Sequence, residues 1–290
     1  MRTEQEMMDL IEKFVVNDPN IRVAVLNGSR ANPNAASDPF QDFDISCYVR
    51  DVQPFKADRG FLDQFGELMI MQSPEDIEDP PPANDGHHVY LMQFTDGNRI
   101  DLSFCPVDWL RTMKHESLTM VLVEKDGGVQ DLPPPSDKDF LPEEPSAKSF
   151  DDCCNEFWWV CPYVAKALWR EELFHAKSLL EKPIRTPLMK MVTWHFAIKT
   201  GYEVAPGKDC KNIRPVLDPD LWAKLESTYS DSEISNTWDS LFSMGDVFRI
   251  TARHVAQEYG FDYRNQEDCN VTDHLRHVRQ LPKEAKTIYD

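Results

Sequence analysis

The chain has 290 residues, of which 41% are hydrophobic and 28% charged, a composition typical of a globular protein with one large domain or two ordinary ones. Its net charge of −19 argues against a nucleic-acid substrate, because an acidic surface repels phosphate backbones, and favours metal ions or a polycationic small molecule. No segment approaches the ~20 apolar residues of a membrane helix. The polar N-terminus and the scattered cysteines predict a cytoplasmic protein with free thiols.

The first half of the chain mixes helical and strand patterns. Apolar residues at helical spacing predict a helix over residues 3–16, which ends at Asp18-Pro19-Asn20. Further along, alternating or continuous apolar runs predict strands over 21–26, 42–49, 68–71, 89–94 and 99–104, with a helix over 61–65. Residues 95–98 are expected to form the hairpin turn between the last two strands.

Prolines mark the point at which strand patterns give way to helical ones. They cluster at Pro133-Pro134-Pro135, Pro142 and Pro145. We therefore expect an α/β (α+β) domain with a mixed sheet over residues 1–140, followed by an α-helical domain over 141–290. The pattern Ser149-x-x-Asp152 resembles a capping box and predicts the start of the first helix of the second domain.

A glycine turn after the first predicted strand is a candidate phosphate site. Gly28 allows close backbone approach to an anion, Ser29 offers a hydroxyl and an N–H, and Arg30 adds a permanent positive charge. The turn alone is a weak signal, because Gly-Ser pairs are common in loops.

Two carboxylates follow on the next predicted strand. Strand alternation places Asp42 and Asp44 on one face, while Phe43 and Ile45 point to the core. Such carboxylates repel each other unless a cation lies nearby, and carboxylates together with substrate phosphates are the ligands that magnesium takes. Asp101 has the same character on a later strand, so if the two strands are neighbours, three carboxylates converge and could hold two metal ions.

The first helix of the second domain carries two distinct faces. One is apolar and includes Phe150, Cys153, Cys154, Phe157, Cys161, Val164 and Leu168. The other repeats at spacings of three and four and consists of Asp152, Glu156, Trp159, Tyr163 and Lys166. We interpret this second face as one wall of a cleft between the domains. Its acids and aromatic rings would bind a cationic acceptor, and Lys166 would reach the phosphates; packing between the domains is the alternative.

The histidines show no zinc-ligand spacing and are interpreted as surface or hydrogen-bonded core residues. They include His87, His88, His115, His175, His195 and His254. The sequence contains no P-loop, HExxH or nucleophile-elbow motif, which leaves a kinase or hydrolase function without support.

These motifs together carry a resemblance to a known family. Gly28-Ser29, twelve further residues, Asp42-x-Asp44 and later Asp101 resemble the signature of the DNA polymerase β-like nucleotidyltransferase superfamily. Longer blocks resemble the streptomycin (aminoglycoside 6-) adenylyltransferases over most of residues 1–205. These blocks are MRTEQEMMDL, NGSRANPNA, FQDFDISCYV, TDGNRIDLSF and FDDCCNEFWWVCPYVAKAL.

The resemblance implies a function that confers antibiotic resistance, the transfer of AMP from ATP to the 6-hydroxyl of streptomycin. It implies that Asp42 and Asp44 bind magnesium, that Asp101 completes the site, and that residues 28–30 hold the triphosphate. Either Asp101 or Glu156 would remove the acceptor's proton. The acidic first domain is compatible with streptomycin, which carries guanidinium groups.

Two alternatives remain open at this level. The same site could act on another small or protein hydroxyl, or the chain could be a nucleotide- or drug-binding module without activity. The presence of all three carboxylates counts against lost activity. The oligomeric state is left undetermined by the sequence.

Overall fold

The computed structural model describes residues 1–82, 84–112, 116–127, 129 and 132–289, without the side chains at 111 and 112; His115 lies outside these residues. Two compact units make up the chain, Met1–Asp139 and Phe140–Asp290. Across the described residues, no helix combines the length and apolar character needed to cross a membrane.

The first unit is built on a six-stranded mixed sheet. Its strand order is β3-β4-β5-β2-β1-β6, in which only β2 and β5 are parallel neighbours. The strands are β1 (Ile21–Asn27), β2 (Phe43–Val49), β3 (Leu68–Gln72), β4 (His88–Phe94), β5 (Arg99–Pro106) and β6 (Thr119–Glu124). The helices of this unit are α1 (Glu4–Asn17), α2 (Gln53–Ala57) and α3 (Trp109–Thr112), with a 3-10 helix over Gly60–Phe65.

One face of the sheet carries the core of this unit. The buried side of α1, with Met7, Ile11 and Phe14, packs in the same cluster as Phe43 and Ile45 of β2. The opposite face has a small apolar cluster near the far end of β2 and polar side chains near its beginning. On the face opposite the core, the starts of β2 and β5 therefore carry polar side chains, and no apolar cluster of the described residues covers them. Strand alternation predicts this, because it places every second side chain on that face.

The second unit is helical, which confirms the predicted fold class. Its helices are α4 (Ala147–Trp169), α5 (Leu173–Leu179), α6 (Arg185–Thr200), α7 (Pro219–Glu226), α8 (Ile234–Tyr259) and α9 (Asn265–Gln280). The apolar side of α4 is buried in the core, where Phe157 stacks on Phe248 of α8 with ring centroids 3.9 Å apart.

Two details of this unit differ from the predictions. Helix α4 begins at Ala147, because Ser146, just after Pro145, is the N-cap and its side chain accepts from the Ser149 N–H; the predicted start at Ser149 is three residues too late. His195 is buried but lacks the expected hydrogen bond, since neither of its ring nitrogens has a partner among the described residues. Its ring packs against that of His254, with centroids 4.5 Å apart.

Candidate active site

A row of polar side chains crosses the open face of the sheet in the first unit. The parallel pairing of β2 with β5 sets Asp44 beside Asp101, and the antiparallel pairing with β1 sets Asn27 opposite Asp44. Thr119 of β6 donates a hydrogen bond to Asn27 Oδ1 at 2.9 Å, and Asn27 Nδ2 donates to Ser46 Oγ at 3.0 Å. The β2–β5 pairing meets the condition under which the sequence predicts converging carboxylates.

Gly28 brings the backbone against the Asp44 carboxylate. Its φ of +71° lies in the left-handed region, and its N–H donates to the Leu118 carbonyl. A Cβ placed on Gly28 would collide with Asp44 Oδ2 and lie 3.3 Å from Asp44 Cγ. Both the backbone conformation and the close approach therefore require glycine. Ser29 follows in the same 3-10 turn, Gly28–Arg30.

Arg30, which is expected from the sequence to hold the triphosphate, contacts protein atoms instead. Its guanidinium donates to the carbonyls of Asp42 at 3.1 Å and Gln41 at 2.7 Å, and pairs with Glu4 at 3.2 Å. It also lies over the Phe43 ring, and its side chain is only 7% exposed. In this structure Arg30 therefore fixes the segment that leads into β2, and its donors point at protein atoms.

A second arginine, which the sequence analysis missed, lies among the carboxylates. Arg99 Nε and Nη2 donate to the two oxygens of Asp101 at 2.8 and 2.9 Å, and Arg99 Nε lies 3.6 Å from Asp42 Oδ2. Arg99 and Asp101 are two residues apart on one strand, so they share a face. That spacing is the sequence signal by which Arg99 could have been found.

The electrostatics of this cluster favour an added cation. Burial, and then the charges of Asp101 and Asp42, raise the pKa of Asp44 to about 6. Burial also raises the pKa of Asp42, although Arg99 opposes the shift. A raised carboxyl pKa means that the negative charge is disfavoured where it lies, and a bound cation would relieve that cost.

The donor set is compatible with magnesium, although the side chains are arranged around Arg99. Within the described ranges, no three His, Cys, Asp or Glu side chains are gathered closely enough to hold a metal ion. Carboxylate oxygens are the ligands that magnesium prefers, and Arg99 is the cation that they contact here. Asp101 and Asp42 would therefore have to leave Arg99 in order to bind a metal ion together with Asp44.

The predicted binding face of α4 is exposed in the second unit. Trp159 is 63% exposed and Tyr163 40% exposed, and their ring centroids lie 6.2 Å apart in an edge-to-face arrangement. The Lys166 ammonium lies 5.2 Å from the centre of the Tyr163 ring. Asp152 is exposed and pairs with Lys148 one turn earlier, while Glu156 is exposed on the same face.

A mixed sheet whose parallel neighbours set two carboxylates beside a glycine turn is the arrangement expected of a nucleotidyltransferase. Comparison with known proteins gives the family: the family model of streptomycin adenylyltransferase matches residues 1–278, and the chain belongs to that family. This confirms the resemblance and the enzyme class inferred from the sequence.

Individual relatives agree over nearly the whole chain. The chain is 38% identical to an aminoglycoside 6-adenylyltransferase of Bacillus subtilis (strain 168) over 272 residues, covering 92% of this chain and 95% of the relative. It is 37% identical to an aminoglycoside 6-adenylyltransferase of Campylobacter jejuni, covering 91% of each chain. Among solved structures, it matches the crystal structure of an aminoglycoside 6-adenyltransferase from Bacillus subtilis at 34% identity, with a TM-score of 0.47, covering 97% of this chain and 100% of that one.

Proposed function

We propose that this protein transfers AMP from ATP to a hydroxyl group of streptomycin, with release of pyrophosphate. The observation that carries the proposal is the parallel register of β2 and β5, which sets Asp44 beside Asp101 next to the Gly28 turn. Family membership and the names of the relatives supply the nucleotide and the aminoglycoside as substrates.

In the reaction, the acceptor hydroxyl oxygen bonds to the α-phosphorus of ATP. The bond from that phosphorus to the oxygen bridging to the β-phosphate breaks, pyrophosphate leaves, and the hydroxyl proton passes to a carboxylate of the protein. Magnesium ions, when bound, would neutralise the triphosphate and polarise the reacting phosphate; we propose two ions held by Asp42, Asp44 and Asp101.

The turn at Gly28 and Ser29 would hold the triphosphate. The missing side chain at Gly28 lets the nucleotide lie close to Asp44, and the Ser29 hydroxyl supplies a donor. Arg30 would contribute indirectly, because its hydrogen bonds to the carbonyls of Gln41 and Asp42 fix the start of β2. Lys166 would bind phosphate from the second unit, as an ammonium on an exposed helix face.

Arg99 would act as an exchangeable counter-ion. While it holds both oxygens of Asp101, that carboxylate is occupied as a hydrogen-bond acceptor. If Asp101 held a metal ion or took the acceptor's proton, the Arg99 guanidinium would be free to pair with an oxygen of the triphosphate instead. This exchange would give Arg99 an anionic partner in both states.

The acceptor would bind along the exposed face of α4. Asp152 and Glu156 offer carboxylates to guanidinium groups, and Trp159 and Tyr163 offer flat surfaces to sugar rings or guanidinium planes. A tryptophan that is 63% exposed leaves a large apolar surface in water, which a ligand would cover.

A panel of acceptors tests the proposal. With ATP and magnesium, streptomycin should yield an adenylylated product and pyrophosphate, whereas aminoglycosides without guanidinium groups should react poorly. Asp152→Asn and Glu156→Gln should raise the KM for streptomycin. Glu156→Gln should leave kcat unchanged if Asp101 is the base and should lower it if Glu156 is. A folded protein that adenylylates other aminoglycosides but not streptomycin would remove the substrate assignment.

A further inference from the structure

The second unit contains a cavity of about 370 Å³ between the end of α4, the end of α9 and the segment over residues 282–289. Its walls include Tyr163, Lys166, Trp169 and Arg170 from α4 and its C-cap, with Lys286 and Ile288 from the last segment. The volume lies within the range of small-ligand sites.

The charge of this cavity is opposite to that of the protein. Over the described ranges, which end at residue 289, its lining has three cations, Lys166, Arg170 and Lys286, and no acidic residue, although the chain has 50 acidic residues and 31 basic ones. Among the residues that the structure describes, none of the three cations forms an ion pair. An anionic ligand would therefore reach these exposed cations without breaking an ion pair.

A larger cavity in the same unit differs, because its arginines are already paired with carboxylates. It measures about 800 Å³ and lies among α4, α8 and α9, and its lining includes both acids and arginines. Arg279 pairs with Asp239 at 2.7 Å, and Arg249 pairs with Asp268 at 2.5 Å. Since those arginines already have carboxylate partners, an anion would have to break these pairs to bind there.

The smaller cavity also offers a flat apolar surface. Trp169 is half-buried, and its indole N–H donates to the Leu281 carbonyl at 2.9 Å, which fixes the ring. Val278 and Ile288 add aliphatic surface. A fixed aromatic wall beside ammonium and guanidinium groups suits a ligand with a ring at one end and an anion at the other.

Hydrogen bonds, an ion pair and a ring contact hold the last segment against α9 and the end of α4. The Tyr289 hydroxyl lies 2.6 Å from His274 Nδ1, and the Tyr289 ring stacks on His277 with centroids 4.6 Å apart. Lys283 donates to the Trp169 carbonyl and pairs with Glu171 at 2.9 Å. A segment held by such contacts has less freedom to lose when a ligand binds.

We propose that this cavity binds a small organic anion with a flat ring, the chemical class of nucleoside monophosphates and aromatic carboxylates. The site is contained in the second unit and does not rest on the proposed transferase function. Lys166 and Tyr163 also belong to the α4 face assigned above to substrates, so the test changes Arg170 and Lys286, which have no part in that assignment.

The test is calorimetric titration of the full-length Asp44→Asn protein in a chelator, conditions that disable the candidate transferase site. The probes are AMP, salicylate, adenosine and inorganic phosphate. We expect AMP, salicylate or both to bind with a Kd below about 1 mM, and adenosine and phosphate to bind about tenfold or more weakly. AMP binding alone would identify a nucleotide ligand, and salicylate binding alone an aromatic acid.

Variants then locate the binding. Arg170→Glu combined with Lys286→Glu should weaken it by about tenfold or more, whereas Lys182→Glu, at an exposed lysine outside the cavity, should not. The single variants Arg170→Gln and Lys286→Gln should each give a smaller loss, and they serve if the double variant fails to fold. No binding of either ring-bearing anion, equal binding of AMP and adenosine, or binding that survives the charge changes in folded protein would overturn the proposal.

Discussion

Replacement of Gly28 by alanine separates the role of its backbone from the role of its missing side chain. At φ +71° an alanine costs about 1–2 kcal/mol of stability, because its Cβ crowds the following carbonyl. The same Cβ would collide with the Asp44 carboxylate, which has to withdraw by about 1 Å to restore ordinary contact. A displacement of that size at a reacting centre costs about 100-fold in rate.

Gly97 provides the matched control. It lies in the turn between β4 and β5 at φ +92°, and a Cβ there would meet nothing within 4 Å. Both alanine variants should therefore lose the stability that the left-handed backbone costs in urea unfolding, with a further loss in Gly28→Ala from the collision with Asp44, whereas only Gly28→Ala should lose about 100-fold in kcat for pyrophosphate release. Equal turnover by the two variants would refute the argument that Asp44 acts from the position beside Gly28.

Three further perturbations test the electrostatics. Asp44→Asn should abolish turnover yet stabilise the fold at pH 7 by about 2 kcal/mol. The pKa of Asp44 is about 6 in the folded protein and 3.8 in the unfolded chain, so the charged carboxyl costs stability above pH 6, and this cost disappears as the pH falls towards 3.8. A variant that is less stable than the parent protein in urea unfolding would contradict this. Arg99→Ala should lower the half-saturating magnesium concentration about tenfold, because a competing cation is removed from Asp101 and Asp42. Arg99→Lys should change this concentration less. An unchanged magnesium titration in Arg99→Ala would argue against counter-ion exchange. His195→Leu should make the loss of stability between pH 6.5 and pH 4 smaller by about 2–3 kcal/mol. Burial and then the charges of His254 and Lys199, against the opposing effect of Asp218, lower the pKa of His195 to about 4, so the unfolded chain takes up the proton first as the pH falls. If urea unfolding at pH 7 and pH 4.5 gave the same loss for both proteins, this explanation would be wrong.

The fold was predictable where one physical rule determines the structure. Alternation placed Phe43 and Ile45 in the core and Asp44 on the open face, and the spacing of three and four residues separated the buried and exposed sides of α4. The juxtaposition of Asp44 and Asp101 could be stated only as a condition, because strand neighbours are determined by tertiary pairing. Strand β6 went unpredicted for the same reason, since its pairing with β1 makes it part of the sheet.

The contacts of the two arginines near the candidate site could not be predicted, because they depend on which partner a long side chain meets in the folded chain. Arg30 and Arg99 both lie near the carboxylates in sequence or in pairing, yet Arg30 bonds backbone carbonyls and Arg99 bonds Asp101. Nothing in a residue's own identity decides between these partners. The start of α4 shows the same limit on a local scale, because Ser146 and Ser149 are both capable N-caps and only the chain path after Pro145 selects Ser146.

Product analysis tests the central claim most directly. The purified protein is incubated with ATP, magnesium and streptomycin, and the products are examined by mass spectrometry alongside a pyrophosphate assay, with Asp44→Asn as the control. We expect streptomycin carrying one adenylyl group on a hydroxyl, one pyrophosphate released per product, and neither from the control. Folded protein that forms no adenylylated streptomycin, or an Asp44→Asn variant that forms it equally fast, would contradict the account.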